Sequence, residues 1–402
     1  MTAGYAPTPY AGPRRSAEKK KNAGWGPGAL GRDGALRRLD WSLLLAVLAL
    51  CLVGTTLVWS ATHQAAVESG ADPLGSVKRQ LVNIAIGFAL GAAASLFDYR
   101  LLRAYAPFVY LLSIGGLVAV LSPLGATING SHSWIVLPAG FSVQPSEMAK
   151  VALVVGMAML LSEKRDAENE PRGTDVMLAL LFAAVPLVLV MLQPDLGTAL
   201  VIGALVLGVI AVSGASIRWV VGLLLAAAVA AVVAVQVGFL KDYQLDRFTA
   251  FLDPTADPKG AGYNVRQAQI AIGSGGLHGQ GLLEGAQTQG QFVPEQQTDF
   301  IFTVAGEELG FVGAIGLILL LAIVLWRASR IAARAEDLFG RLVATGVLCW
   351  FTFQAFENIG MTLGIMPVTG VPLPFVSYGG SSMFANLVAV GLLQNVHMRR
   401  YV

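Results

Sequence analysis

Ten apolar stretches, at roughly 41–62, 79–97, 101–122, 145–162, 174–192, 197–213, 217–238, 300–326, 340–363 and 381–397, constrain this chain more than any other feature. At ~1.5 Å per residue, about 20 helical residues cross a hydrocarbon core of ~30 Å. Inside lipid the backbone must satisfy its own N–H and C=O groups, which leaves α-helices and closed barrels as the available forms. Stretches this long and this apolar read as helices. With 55% apolar and 13% charged residues, an ordinary soluble globule is excluded. The expected fold is therefore all-α, a polytopic membrane protein with about ten transmembrane helices.

Charge sets the expected orientation. Residues 1–36 are rich in Pro, Gly and basic side chains without apolar periodicity, which predicts a disordered basic cytoplasmic tail ahead of a membrane domain at 37–402. Arg14, Arg15, Lys19, Lys20, Lys21, Arg32, Arg37 and Arg38 precede the first stretch, which is too long for a signal-peptide core and stays as an anchor. Ten crossings then return the C-terminus to the same side. Arg100, Arg103, Lys164, Arg165, Arg172, Arg218, Arg327, Arg330, Arg334, Arg341, Arg399 and Arg400 all fall on that side, as positive-inside partitioning requires. A basic tail can also touch anionic lipid or nucleic acid, but a topology signal accounts for it better than either. The segment 239–299, between helices seven and eight, lies outside and is too long for a passive link. Its breakers, Asp253-Pro254, Asp257-Pro258 and Gly273-Ser274-Gly275-Gly276, alternate with amphipathic pieces that predict short interfacial helices.

The stretch Val293–Gly313 carries Asp299, Glu307 and Glu308 into a membrane-length apolar run. An ionisable group at membrane depth is costly and faces protein or water, which makes these acids functional candidates. Asp299 can also be read as an acid favouring a helix start. On the eighth helix Glu308, nine residues on, faces away from Asp299, so these acids do not all serve one pocket and the deeper pair reads as structural. Helices four, six and eight each begin outside, near a proline and an acid: Pro145 and Glu147, Pro194 and Asp195, Pro294 and Glu295. The tenth follows Ser377-Tyr378-Gly379-Gly380-Ser381-Ser382. Four helix N-termini thus point toward one leaflet, where their N–H groups could favour a phosphate, although capping explains each one singly. Glu147 and Lys150, three apart, share a helix face and can neutralise each other, with a phosphate grip by Lys150 as the second reading.

Other chemistries lack support. His63, His132, His278 and His397 are scattered, Cys51 and Cys349 sit in apolar runs, and no zinc, hydrolase or nucleotide-loop motif occurs.

Asn129-Gly130 through Trp134-Ile135, QPSEMAK at 144–150, QPDLGTAL at 193–200, GAGYN and QAQIAIGSGG in the outer segment, PEQQTDFIF at 294–302, GEELG at 306–310 and PLPFVSYGGSS at 372–382 occur in an order that resembles the SEDS (FtsW/RodA/SpoVE) family of cell-wall proteins. The resemblance covers essentially all of 40–400. Gly370–Val376, GAGYN and Gly285–Gln289 look more like the elongation branch than the division branch.

The resemblance implies a peptidoglycan glycosyltransferase in the bacterial plasma membrane. Such an enzyme polymerises lipid II into glycan strands beside a class B penicillin-binding transpeptidase. It makes Asp299 the general base; the leaving diphosphate needs positive charge, for which Arg247, Lys150, the outward helix ends or a divalent cation such as Mg or Mn are candidates, with Glu147, Asp195, Ser377, Gly379, Gly380 and Ser381 as further substrate-binding candidates. Two departures stand out: Ser133 occupies a position commonly basic in the family, and Gln297 one commonly His, which argues against a His-Asp relay. A lipid II transporter and a non-catalytic scaffold are the alternative readings of the same topology.

Overall fold

The computed structural model describes residues 35–97, 99–128, 131–136, 142–163, 171–236, 238, 242–252 and 260–399. The tail at 1–34, Asn129-Gly130, Lys164, Arg165, Asp253-Pro254, Asp257-Pro258 and Arg400 lie outside them. Two units are distinguished: residues 1–39, whose described part holds a 3-10 turn at Ala35–Arg38, and Asp40–Val402, which holds the helices and the sheet.

Fourteen α-helices occur among the described residues: α1 Trp41–Glu68, α2 Gly75–Leu96, α3 Tyr99–Leu121, α4 Pro145–Leu161, α5 Gly173–Leu192, α6 Leu196–Val212, α7 Ile217–Gln236, α8 Asp242–Leu252, α9 Ala261–Ser274, α10 Ala286–Gln289, α11 Ile301–Glu308, α12 Gly310–Ala333, α13 Leu338–Leu363 and α14 Gly380–Arg399. The ten expected crossings fall on α1 to α7, on α11 with α12, on α13 and on α14. Seven of these helices combine span length with strong apolarity, namely α1, α2, α3, α5, α7, α12 and α13. The others differ for physical reasons. Helices α4 and α6 are 17 residues long, and α14 buries Asn386, Gln394 and Asn395 among its apolar residues.

Polarity runs inside out. Helices α4, α13 and α14 occupy the interior and carry its polar side chains, whereas α7 buries no residue at all. A helix apolar on every face suits lipid. Close helix contacts are made by glycine, because without a hydrophobic force between helices dispersion needs near approach. A Cβ on Gly391 of α14 would lie 2.2 Å from the Gly91 carbonyl of α2. One on Gly208 of α6 would lie 2.2 Å from Cys349 Sγ of α13, which makes Gly208 an internal contact, whereas Gly203 has open space. At one end of the bundle, Asp40 caps α1 at Leu43 N. It also accepts two Arg327 nitrogens from α12 (2.8 and 2.6 Å to Oδ2), while Gln394 of α14 bonds its backbone on both sides.

Two features depart from the sequence reading. Between α3 and α4 lies a small antiparallel sheet, β1 Gly125–Ile128, β2 Ser131–Val136 and β3 Ser142–Val143, in sequential order with Ala126 opposite Trp134 and Ile135 opposite Val143. The expected eighth helix at 300–326 is instead two, broken at Gly310. Gly310 has φ +67°, and a Cβ there would lie 2.2 Å from Gly279 N. The loop after α9 lies against the break, with Gln280 N and Gly281 N donating to the Glu307 and Glu308 carbonyls, and Phe311 N and Val312 N donating to Gly276 and Leu277. These bonds use backbone groups that the break would otherwise orphan. Gly310→Ala should therefore cost about 2 kcal/mol or more, from left-handed strain together with the clash, seen as a lowered Tm in detergent; an unchanged Tm would show that the loop can move aside.

Candidate functional site

Asp299 lies in the turn ahead of α11, not within a helix, so its relation to Glu307 and Glu308 is not one of helical facing. The turn is built on one carbonyl, Glu295 O, which receives the N–H groups of Thr298, Asp299 and Phe300. Three successive carbonyls are then captured from outside. Gln297 O accepts from Tyr378 N (2.9 Å), Thr298 O from the Ser377 hydroxyl (2.5 Å), and Asp299 O from Asn358 Nδ2 (2.7 Å). Gly370, at φ +79°, passes beside the carboxylate, and a Cβ there would lie 3.1 Å from Asp299 Oδ2.

The Asp299 side chain stays partly accessible although protein packs around it. Burial is the main influence on its carboxyl, pushing the pKa up from 3.8 to about 7. The nearby charges of Glu295 and Asp195 push the same way, and the half-buried Arg247 guanidinium on α8 opposes them. Near neutral pH the group therefore exchanges a proton readily, as a general base must.

Asp195 caps α6, accepting from Thr198 N (3.0 Å) and the Thr198 hydroxyl (2.8 Å), and also takes Gln144 Nε2 at 3.0 Å from the start of α4. Ser381, in the first turn of α14, accepts Gln144 N (2.9 Å) and donates to Ser142 O (3.2 Å), while Gly380 lies against Asn83. The starts of α4, α6 and α14 are thus directly joined, and Asp195 connects them electrostatically to Asp299. Gly379 adjoins Ser382 within the same turn. The Ser377 hydroxyl is fully engaged, accepting Leu373 N as it donates to Thr298 O.

Lys150 and Glu147 are placed elsewhere. The Lys150 ammonium is 1% exposed, 2.7 Å from Glu147 Oε1 and 3.3 Å from Gln354 Oε1, with the Trp350 ring 4.6 Å away. Surrounded in this way it has no face for a substrate phosphate; it couples α4 to α13. Glu307 and Glu308 serve the outer segment. Glu307 accepts Gln287 N, Thr288 N and the Thr288 hydroxyl, and Glu308 accepts the Ser60 hydroxyl of α1, which fastens α10 to α11 and α1. Among the described residues no group of three His, Cys, Asp or Glu converges as metal ligands. Asp299, Asp195 and Glu295 do not form such a set.

Sequence reasoning missed Gln354, Glu357 and Asn358 of α13. Gln354 Nε2 donates to Pro372 O (2.7 Å), Glu357 Oε1 accepts the Thr369 hydroxyl (2.9 Å), and Asn358 Nδ2 also donates to Val371 O (2.8 Å). Polar residues spaced three and four apart inside an apolar run were the available signal.

Taken together, an interior that holds buried polar side chains, lipid-facing apolar helices and an acid beside the starts of α6 and α11 define a multi-pass membrane protein with a candidate acid–base site. The family model described as "Cell cycle protein", covering FtsW, RodA and SpoVE, matches residues 41–402. Peptidoglycan glycosyltransferase MrdB of Escherichia coli K12 is 39% identical over 363 residues, 90% of this chain and 94% of that one. Rod shape determining protein RodA of Thermus thermophilus superposes with a TM-score of 0.66 at 32% identity, covering 90% of this chain and 98% of that one. A chain from a structure of a peptidoglycan synthase complex that coordinates polymerization and crosslinking superposes with a TM-score of 0.76 at 35% identity, covering 90% and 98%. The chain belongs to the FtsW/RodA/SpoVE family.

Breaking a buried pair leaves an uncompensated charge and costs about 3–5 kcal/mol, whereas removing both charges together is far milder. Lys150→Met should accordingly lose most folded protein in a thermal-stability assay, and the double variant Glu147→Gln, Lys150→Met should regain much of it. Equal losses in both would deny the pairing.

Proposed function

We propose that this chain is a peptidoglycan glycosyltransferase that polymerises lipid II at the outer leaflet, with Asp299 as general base and a class B penicillin-binding transpeptidase as its partner. The observation that carries this reading is a partly accessible carboxyl, held near neutrality by burial and set beside one guanidinium, at the mouth of a lipid-facing bundle. Both termini are then cytoplasmic, and 239–299 is an extracellular catalytic segment. Bond by bond, Asp299 takes the proton of an acceptor sugar hydroxyl, and the freed oxygen attacks the donor's anomeric carbon. The glycosyl–phosphate bond breaks, and the polyprenyl diphosphate leaves with the electron pair. Arg247 supplies positive charge on the Asp299 side, suited to the leaving diphosphate. The starts of α4, α6 and α14, with Asp195 and Ser381, form the polar rim for the headgroups. Cell shape and elongation are the role we propose, in keeping with the rod shape determining protein among the solved structures; relatives named FtsW and stage V sporulation protein E are 38% and 39% identical.

Purified with its transpeptidase and given lipid II, wild type should make glycan strands and Asp299→Asn, at matched complex yield, less than about one-hundredth as much. Equal polymer from both would remove Asp299 from the chemistry. No polymer from either, with lipid substrate proven active, would favour the transport or scaffold reading.

Stability should move the opposite way. A carboxyl whose folded pKa is about 7, against 3.8 unfolded, stabilises the fold fully below the unfolded value and loses that contribution as pH rises through the folded one. Asp299→Asn should therefore show a higher Tm than wild type at pH 8 and a Tm close to it at about pH 4. A lower Tm at pH 8 would mean that the carboxylate is a stabilising group.

A further inference from the structure

We propose that Asn358 is the positioning residue of the site: its amide fixes, from a buried helix, both the turn that carries Asp299 and the loop that walls its carboxylate. The role rests on the reading of Asp299 as the base.

Asn358 is fully buried on α13, and its one nitrogen donates twice, to Asp299 O at 2.7 Å and to Val371 O at 2.8 Å. Two carbonyls from segments about 70 residues apart therefore meet at one nitrogen. Only an amide fits that requirement: a hydroxyl has a single proton to give, and Lys or Arg would bring unpaired charge into the interior. The neighbouring side chains on the same face act on the same loop, Gln354 through Pro372 O and Glu357 through the Thr369 hydroxyl. Gly370 lies between these anchors and is the residue whose backbone passes the carboxylate. The other two donors to the acid's turn, Tyr378 N and Ser377, come from irregular backbone that is itself held by such bonds. Asn358 alone among the three comes from a regular, buried helix, and so sets where Asp299 stands relative to the bundle. No hydrogen bond reaches Asn358 Oδ1 among the described residues, so the donors account for the amide's placement.

The test is lipid II polymerisation by the complex with the transpeptidase, comparing wild type, Asn358→Leu, Asn358→Gln and Asp299→Asn across pH 5–9 and a range of lipid II concentration. Misplacing a catalytic group by about 1 Å costs up to ~10²-fold, so Asn358→Leu should lose about thirtyfold or more in kcat with KM within about threefold. The acid limb of its pH profile should move to lower pH as the carboxyl slips toward water, and Asn358→Gln should regain part of the rate. A wild-type rate in Asn358→Leu overturns the role, as does a loss with an unmoved acid limb and no rescue by Gln. If Asn358→Leu does not yield folded complex, Asn358→Ser, which keeps one donor and leaves room for water, is read by the same criteria. Polymer from Asp299→Asn would instead overturn the base reading itself, whereas an inactive Asp299→Asn beside a fully active Asn358→Leu overturns only the positioning role.

Discussion

Irregular backbone can exist inside a lipid-surrounded bundle only where the protein itself satisfies its N–H and C=O groups, and this requirement organises the molecule. The turn at 295–300 and the loop at 364–379 are both irregular, and both lie against α13. Gln354 and Asn358 meet that requirement, along with Ser377 and Tyr378, and Glu357 adds a bond to the Thr369 hydroxyl. Without those donors and acceptors the two segments could not stay at the bundle mouth, and the acid between them would have no defined place. Polar residues that would be liabilities on a lipid face are thus the means of holding the turn of Asp299 in place.

The same logic separates the acids. Glu147 is paired with Lys150 and Asp40 with Arg327, while Glu307 accepts backbone hydrogen bonds from α10. Asp195 is spent largely on capping α6. Asp299 differs because its chain neighbours, rather than its carboxylate, take the structural bonds: Asp299 O and Thr298 O are captured, while the carboxylate keeps an accessible side. A group relieved of structural duty, yet raised in pKa by burial and by Glu295 and Asp195, is available for proton transfer.

Much of this was legible in the sequence, and the limits were physical. Lengths of apolar run gave about ten crossings because lipid thickness leaves little choice, and Asp299 stood out because an acid beside a membrane-length apolar run is uncommon. The break at Gly310 was hidden because a left-handed glycine inside an apolar run looks like any other glycine until the Gly279 backbone is seen against it. The sheet at 125–143 was missed because its strands are two to six residues long. Asn358 was passed over because an uncharged amide in an apolar run carries no obvious chemistry; its meaning lies in two carbonyls distant in sequence. Lys150 illustrates the converse, since a lone cation reads equally as a ligand or as half of a buried pair until its partners are placed.

The most direct test of Asp299 as the base is its own titration in the folded complex. The carboxyl C=O band would be followed by infrared difference spectroscopy against Asp299→Asn and set beside the pH dependence of single-turnover polymerisation. The expected result is one midpoint near pH 7 in both, with the rate rising as the carboxylate forms. A carboxyl that titrates near 4, or a rate flat through the carboxyl's own midpoint, would contradict it.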